Sequence, residues 1–333
     1  MIYSVDEIRN FIAKAVPGEV TFKKLNATGN MTARLEDGGN DTLLLVEVEG
    51  KEYVVKMKSK AFDNNVSYAM NYFDSPSFSE AFKRGKAIFY IRDSYEREGK
   101  IYKAFSELSD NLPKIYLEES DGVRSIILME KLTISRKPKD VELALLLRKW
   151  HSLYTLEEDA KSLGANVHTK EDYERAEELS LKLFDSIERV YPNFPKEIIE
   201  EGRGYVKNYG ENYLKGISFP RALCHGDLTI NNLTTERGIV LYDLELATYS
   251  NPEFDLVSYL VHYPVDLSNK VVEDFLNAYY GGGFERKKEV LRHNLLTYLC
   301  TRFHAMMMIT KKLHMPYMEQ SIQNYIFLFN YFR

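Results

Sequence analysis

The sequence predicts an α+β chain of two lobes, the first built on a small antiparallel sheet and the second mainly helical. Three observations carry that prediction. At 333 residues the chain exceeds the size at which one hydrophobic core usually keeps growing. Runs of β-formers punctuated by turn residues concentrate before residue 130. After Lys137-Pro138 helix-forming runs dominate, interrupted by only two brief apolar stretches. The predicted lobes are therefore residues 1–130 and 131–333.

The elements follow in order. Ser4, with Glu7 three residues on and Val5, Ile8, Phe11 and Ile12 at helical spacing, reads as a capped amphipathic helix. From Thr21 to about Lys58 the pattern becomes strand-like: residues 43–49 are rich in β-formers, Gly50 punctuates them, and residues 52–57 resume the pattern. The aromatic stretch 62–95 lacks sharp periodicity and reads as mixed helix and loop. Residues 95–108 read as a helix, and 115–116 and 126–129 as two short strands divided by a turn at Asp121-Gly122. In the second lobe Asp140 is placed to cap VELALLLRKWHSLY, and residues 170–190, 195–209 and 287 onward carry helix formers. Residues 222–224 and 239–242 read as short strands, each leading within a few positions to an acidic residue. There is no internal repeat.

Composition narrows the function classes. Hydrophobic residues make up 44% of the chain and charged residues 28%, as in an ordinary globular protein. Forty-nine acidic against 44 basic residues, a net charge of -5, argue against a nucleic-acid binder held by phosphate contacts. Cys224 and Cys300 are the only cysteines, too few for a disulfide framework or a cysteine zinc site, which fits a reducing cytoplasm. The first residues carry acidic groups and break their apolar run early, and no stretch approaches a membrane span. The expectation is a cytoplasmic protein without membrane insertion.

Chemistry concentrates in CHGDLTINNL, residues 224–233, and in VLYDLELATY, residues 240–249. Phosphoryl transfer needs a carboxylate near the attacking hydroxyl and oxygen ligands that hold magnesium against nucleotide phosphates. Asp227, Asn232 and Asp243 supply both: an Asp with an Asn five positions later lets one loop carry a base and a metal ligand, while Asp243 approaches from the neighbouring strand. In the predicted helix Glu98 shares a stripe with Ile101, Tyr102 and Phe105, so its carboxylate faces apolar neighbours and wants a cation. A buried lysine partner would answer that need. His151 reads as a packing histidine, Cys224 as a buried structural thiol, and Met306-Met307-Met308 with the nearby aromatics as core.

His225-Gly226-Asp227-x-x-x-x-Asn232 followed by Asp243-x-Glu245 resembles the aminoglycoside phosphotransferase and choline kinase superfamily, distant relatives of the protein kinases. The resemblance implies a bilobal protein-kinase-like fold and an ATP- and Mg2+-dependent transfer to a small-molecule hydroxyl. It implies Asp227 as catalytic base, Asn232 and Asp243 as magnesium ligands with Glu245 assisting, and His225 and Asp255 as braces of the catalytic loop. Tyr53-Val54-Val55-Lys56 resembles the strand whose lysine tethers the phosphates, and REGKIYKAF the helix that carries its glutamate partner. Ile127-Leu128-Met129-Glu130 resembles the hinge, which makes Met129 and Glu130 nucleotide neighbours. Gly38-Gly39 is the leading candidate for the glycine-rich turn, with residues 26–30 as the other.

The motifs cover residues 38–260 and leave the acceptor open. DLELATYSNPEFDL is most similar to choline and ethanolamine kinases, so an amino alcohol is the first expectation. An aminoglycoside would require several carboxylates beyond Asp227, for which residues 171–178 are one source. Sugar and amino-acid kinases of the methylthioribose and homoserine type share the frame. From other classes, a non-catalytic nucleotide-binding regulator is opposed by the retained Asp227, Asn232 and Asp243. A protein kinase is opposed by Gly226, where protein kinases carry Arg, and by the lack of an APE-like segment.

Overall fold

The computed structural model describes residues 3–23, 42–59, 94–133, 139–229, 233–235, 237–307 and 317–333. Gly38, Gly39, Asn232 and most of the stretch 62–95 lie outside the described residues.

Five strands, β1 (Val20–Lys23), β2 (Thr42–Val48), β3 (Lys51–Ser59), β4 (Ile115–Ser120) and β5 (Arg124–Glu130), form one antiparallel sheet in the order β1-β2-β3-β5-β4. Glu49 and Gly50, at φ 50° and 76°, turn β2 into β3, the double positive φ of the tight turns that suit twisted strands. Alternation along β3 then sorts its side chains. Tyr53, Val55 and Met57 pack with Ile8, Phe11 and Ile12 of the capped helix α1 (Val5–Ala13). Lys56 and Lys58 take the opposite face, and both are buried. Helix α2 (Ser94–Ala104) packs on the sheet and presents Glu98 to these two lysines.

After the sheet come α3 (Asp140–Leu153), α4 (Glu157–Ser162), α5 (Lys170–Val190), α6 (Lys196–Lys207) and α7 (Tyr209–Ile217). A three-residue ladder pairs β6 (Ala222–Cys224) with β9 (Thr248–Ser250), and a hairpin pairs β7 (Thr234–Thr235) with β8 (Gly238–Ile239). Helices α8 (Glu253–Val261), α9 (Asn269–Tyr280), α10 (Lys288–Tyr298) and α11 (Tyr317–Tyr331) follow, with one π turn at Leu299–Phe303. Trp150, Phe184, Phe275, Phe303 and Tyr325 are fully buried, each worth about 1.5–3 kcal/mol or more of apolar burial. Phe105 stacks on Trp150 with ring centroids 3.8 Å apart, so the end of α2 is anchored in the helical core. This is an α+β fold, a five-stranded antiparallel sheet followed by a mainly helical part.

Four expectations are corrected. Asp140 does not cap α3; Lys139 holds the N-cap position, and the Asp140 carboxylate accepts the Tyr259 and Tyr263 hydroxyls instead. The helix expected at 95–108 ends at Ala104, and a 3-10 segment at Ser106–Asn111 follows. The helix expected at 195–209 breaks at Asn208 into α6 and α7. The strand expected at 239–242 stops at Ile239, because the partner of β6 is β9, further along the chain.

Candidate active site

Two loops at one end of the β6–β9 ladder meet the buried face of β3. His225-Gly226-Asp227 leaves β6. Gly226 has φ 81°, and a Cβ there would run into the Leu246 carbonyl oxygen, so the close approach of the two loops demands glycine. Asp255, in the first turn of α8, fixes the backbone of this turn: its Oδ2 accepts the His225 N–H at 2.6 Å and its Oδ1 the Gly226 N–H at 2.9 Å. His151 Nε2 lies 3.2 Å from Asp255 Oδ2, and His225 Nε2 lies 2.9 Å from the Tyr242 carbonyl, tying the two loops together. Burial, the largest influence on Asp255, is outweighed by these hydrogen bonds and the nearby imidazoles, and its pKa lies below the usual value.

His151, Cys224 and Asp255 bring their ligand atoms within 4.8 Å of one another. Both Asp255 oxygens already accept backbone N–H groups, and burial pushes the Cys224 thiol well above its ordinary pKa. This trio is therefore a brace, and its donors are occupied within the fold.

Asp243 sits in the left-handed region, φ 62° and ψ 56°, where few non-glycine residues settle without strain. That turn aims its carboxylate at Lys56: Nζ to Oδ1 is 2.7 Å. The same ammonium lies 2.7 Å from Glu98 Oε2. Lys58, one strand step on, lies 2.5 Å from Glu245 Oε2 and 3.7 Å from Glu98 Oε2. Two ammoniums and three carboxylates thus form one cage. Tyr102 completes it, donating to Glu98 Oε1 at 2.6 Å and accepting the Asp243 N–H at 3.3 Å.

The electrostatics follow from burial competing with these pairings. Burial alone would lower the Lys56 pKa, but Asp243, Glu98 and Glu245 hold it well above the ordinary value. Glu98 is pushed up by burial and pulled further down by Lys56 and Lys58, ending below the usual carboxylate value. Glu245 is likewise desolvated, yet Lys58 and Lys56 bring it down to about 2. Asp243 ends above its usual value, because burial and the charges of Glu245 and Glu98 outweigh Lys56. Asp227 is pushed up to about 6 by burial, with Arg302 pulling down and Asp243 pushing up.

The structure therefore brings together Lys56, Glu98, Asp243 and Glu245, with Asp227 close enough to feel Asp243 and Glu245. The hinge residues behave differently. The Met129 side chain is core, and the Glu130 carboxylate accepts the Lys114 N–H and pairs with Arg237 at 2.7 Å. Three charged residues were missed by sequence reasoning. Lys58 had a signal, since alternation puts it on the face of Lys56. Arg97 is 1% exposed and donates to the carbonyls of Gly164 and Glu245 and to Asn166 Oδ1, fastening α2 to the loops that carry them. Arg302, in the π turn, donates to the carbonyls of Gly226 and Leu246. Neither arginine had a local signal.

A cavity of about 50 Å³ opens at the other end of the ladder, beside Arg221 and Ser250, with Tyr173, Tyr213, Tyr249 and His293 among its walls. Phe303 and Tyr325 stack on each other at 5.3 Å inside the core. Within residues 171–178, Glu174 pairs with Lys170, Glu178 with Lys182, and Asp172 closes the Thr169 capping box.

A model of the phosphotransferase enzyme family matches residues 32–290. No curated protein matches the chain. Among solved structures, the choline kinase LicA from Streptococcus pneumoniae is 14% identical with a TM-score of 0.53, covering 98% of each chain. A choline kinase from Cryptosporidium parvum Iowa II is 11% identical with a TM-score of 0.52, covering 98% of this chain and 95% of its own. A spectinomycin phosphotransferase solved with ADP and spectinomycin is 11% identical with a TM-score of 0.54, covering 99% of this chain and 94% of its own. Among the described residues no helix is long and apolar enough to cross a membrane.

Proposed function

The chain belongs to the phosphotransferase enzyme family and is a small-molecule phosphotransferase with a hydroxyl acceptor; we propose that its donor is ATP and that Asp227 is the base that receives the acceptor's proton. The observation that carries this reading is the cage of Lys56, Glu98, Asp243 and Glu245 beside Asp227, at the meeting of β3, α2 and the two loops. A lysine paired with a helix glutamate and facing a strand-end Asp is the arrangement phosphoryl transfer uses to hold nucleotide phosphates. We put the lobe boundary near residue 130, so the nucleotide would enter between the sheet and the helices.

Catalysis here is mostly positioning and charge. Asp227, pushed up to about 6, is ionised at neutral pH yet close enough to its pKa to take a proton, which suits a general base. Lys56 is fully charged and held in place by Glu98, ready to meet phosphate oxygens. The donor set fits magnesium: Asp243 and Glu245 offer hard carboxylate oxygens, and Asn232 is the further ligand the motif supplies. Bound there, magnesium would neutralise developing charge on the phosphates. The backbone of Met129 and Glu130 would border the adenine, and Gly38-Gly39 would supply the covering turn.

For the acceptor, an amino alcohol of the choline or ethanolamine type is favoured over an aminoglycoside. Of the acidic residues in 171–178, Glu174 and Glu178 are already paired with lysines of their own helix, which leaves fewer carboxylates to hold several ammonium groups. A coupled assay of ADP release across amino alcohols, aminoglycosides, methylthioribose and homoserine tests the reading. Turnover with an amino alcohol above the rate with water supports it. Background release with every acceptor would instead favour a nucleotide-binding regulator.

A further inference from the structure

The carboxyl-terminal part of the chain reaches back into the catalytic loop through one buried cation. Arg302 is 7% exposed, lies beyond the residues that match the family model, and stands in the π turn that interrupts the helix after Tyr298. A π turn rotates the side chains that follow it relative to a regular helix, and such turns are frequent at functional sites. The guanidinium donates through Nη1 to the Gly226 carbonyl and through Nη2 to the Leu246 carbonyl at 3.4 Å. Its Cζ sits 5.4 Å from the Phe254 ring centroid, so its plane is held on an aromatic face.

The two carbonyls are not equivalent places. Gly226 precedes Asp227 directly, and Leu246 ends the short turn that begins at Asp243. At this crossing the loops are so close that no Cβ fits on Gly226. Two carbonyl oxygens brought together repel, and a planar fork of N–H donors between them removes that repulsion and sets their separation. We propose that Arg302 is a positioning residue that fixes the catalytic loop against the Asp243–Leu246 turn and thereby sets the geometry between Asp227 and Asp243. A lysine, with a single ammonium point, cannot span both acceptors with the same planar geometry.

The proposal rests on the reading of Asp227 and Asp243 as a catalytic pair, and the test separates the two. Wild type, Asp227→Asn, Arg302→Lys and Arg302→Ala would be compared for ADP release with the best panel acceptor, for ATP affinity by calorimetry, and for thermal unfolding. The expected result is a split: ATP affinity and acceptor KM stay within about threefold of wild type, while kcat of Arg302→Ala falls by about 100-fold, as a displacement of about 1 Å can do. Arg302→Lys should lose about tenfold, and millimolar guanidinium ion should restore part of the Arg302→Ala rate. If Arg302→Ala does not fold, the lysine variant decides. Native kcat in Arg302→Lys and in any folded Arg302→Ala, or a loss confined to KM, overturns the proposal while an inactive Asp227→Asn leaves the site reading intact. A wild type with no phosphoryl transfer overturns both.

Discussion

Replacing Asp227 by Asn should stabilise the fold at alkaline pH while removing turnover. A carboxyl whose pKa rises on folding binds its proton more tightly in the fold. Ionised Asp227 therefore costs stability above pH 6, and the cost fades as pH falls from about 6 toward the unfolded value of 3.8. A rise of about two units at 1.36 kcal/mol each sets a ceiling of about 3 kcal/mol. Asp227 is only half-buried, so solvent screening leaves about 1–2 kcal/mol. In a chain of this size that is a melting-temperature gain of about 2–4 °C. Thermal unfolding of both proteins at pH 8 and at pH 4 measures it. The variant should melt higher at pH 8 and match wild type at pH 4, and its ADP release should fall by 1,000-fold or more, about the loss seen when catalytic groups are removed. A variant less stable at pH 8, or a difference that does not shrink with acid, would refute the claim that desolvation governs Asp227.

Further outcomes follow from the same cage. Lys56→Met leaves the buried Glu98 and the partly exposed Asp243 without the ammonium 2.7 Å from each, which should cost about 3 kcal/mol and sharply weaken ATP binding, read by urea unfolding and calorimetry. Glu245 falls from 4.5 to about 2 on folding, so its stabilisation is complete above pH 4.5 and lost as pH drops toward 2. Glu245→Gln should therefore be less stable than wild type at pH 7, with the gap closing across that acid window in urea titrations. Gly226→Ala forces a side chain into a left-handed turn against the Leu246 carbonyl, and should lower stability by about 3 kcal/mol or more together with turnover.

The residues that were legible in the sequence are those whose signal is local. Ser4 and Glu7 announce a capping box because both partners lie within one turn, and the structure has it. The strands around Gly50 and Gly122 were legible for the same reason, since turn chemistry and alternation are short-range properties. The approach of Lys56 to Glu98 follows from a carboxylate on an apolar stripe that needs a cation, together with the resemblance of Tyr53-Val54-Val55-Lys56 and REGKIYKAF to a strand and helix that carry such a pair. Lys58 shares that face, and alternation along the strand alone places it beside Lys56.

What was not legible depends on contacts far apart in the chain. Asp140 looks like a cap, but two tyrosines more than a hundred residues away claim its carboxylate. The apolar run after Gly238 looks like a strand, yet a strand needs a partner, and Ala222–Cys224 pairs with Thr248–Ser250 instead. Arg302 sits in a helical segment with nothing nearby to mark it, and only the fold carries it to Gly226. Buried arginines of this kind are invisible to periodicity, because their partners are backbone carbonyls and not side chains.

Transfer of label from γ-phosphate-labelled ATP to a small-molecule hydroxyl tests the central claim most directly, with wild type and Asp227→Asn run side by side in the presence of magnesium. The account predicts labelled phospho-amino alcohol from wild type and none above background from the variant, which still binds ATP. Equal transfer by both proteins would contradict it.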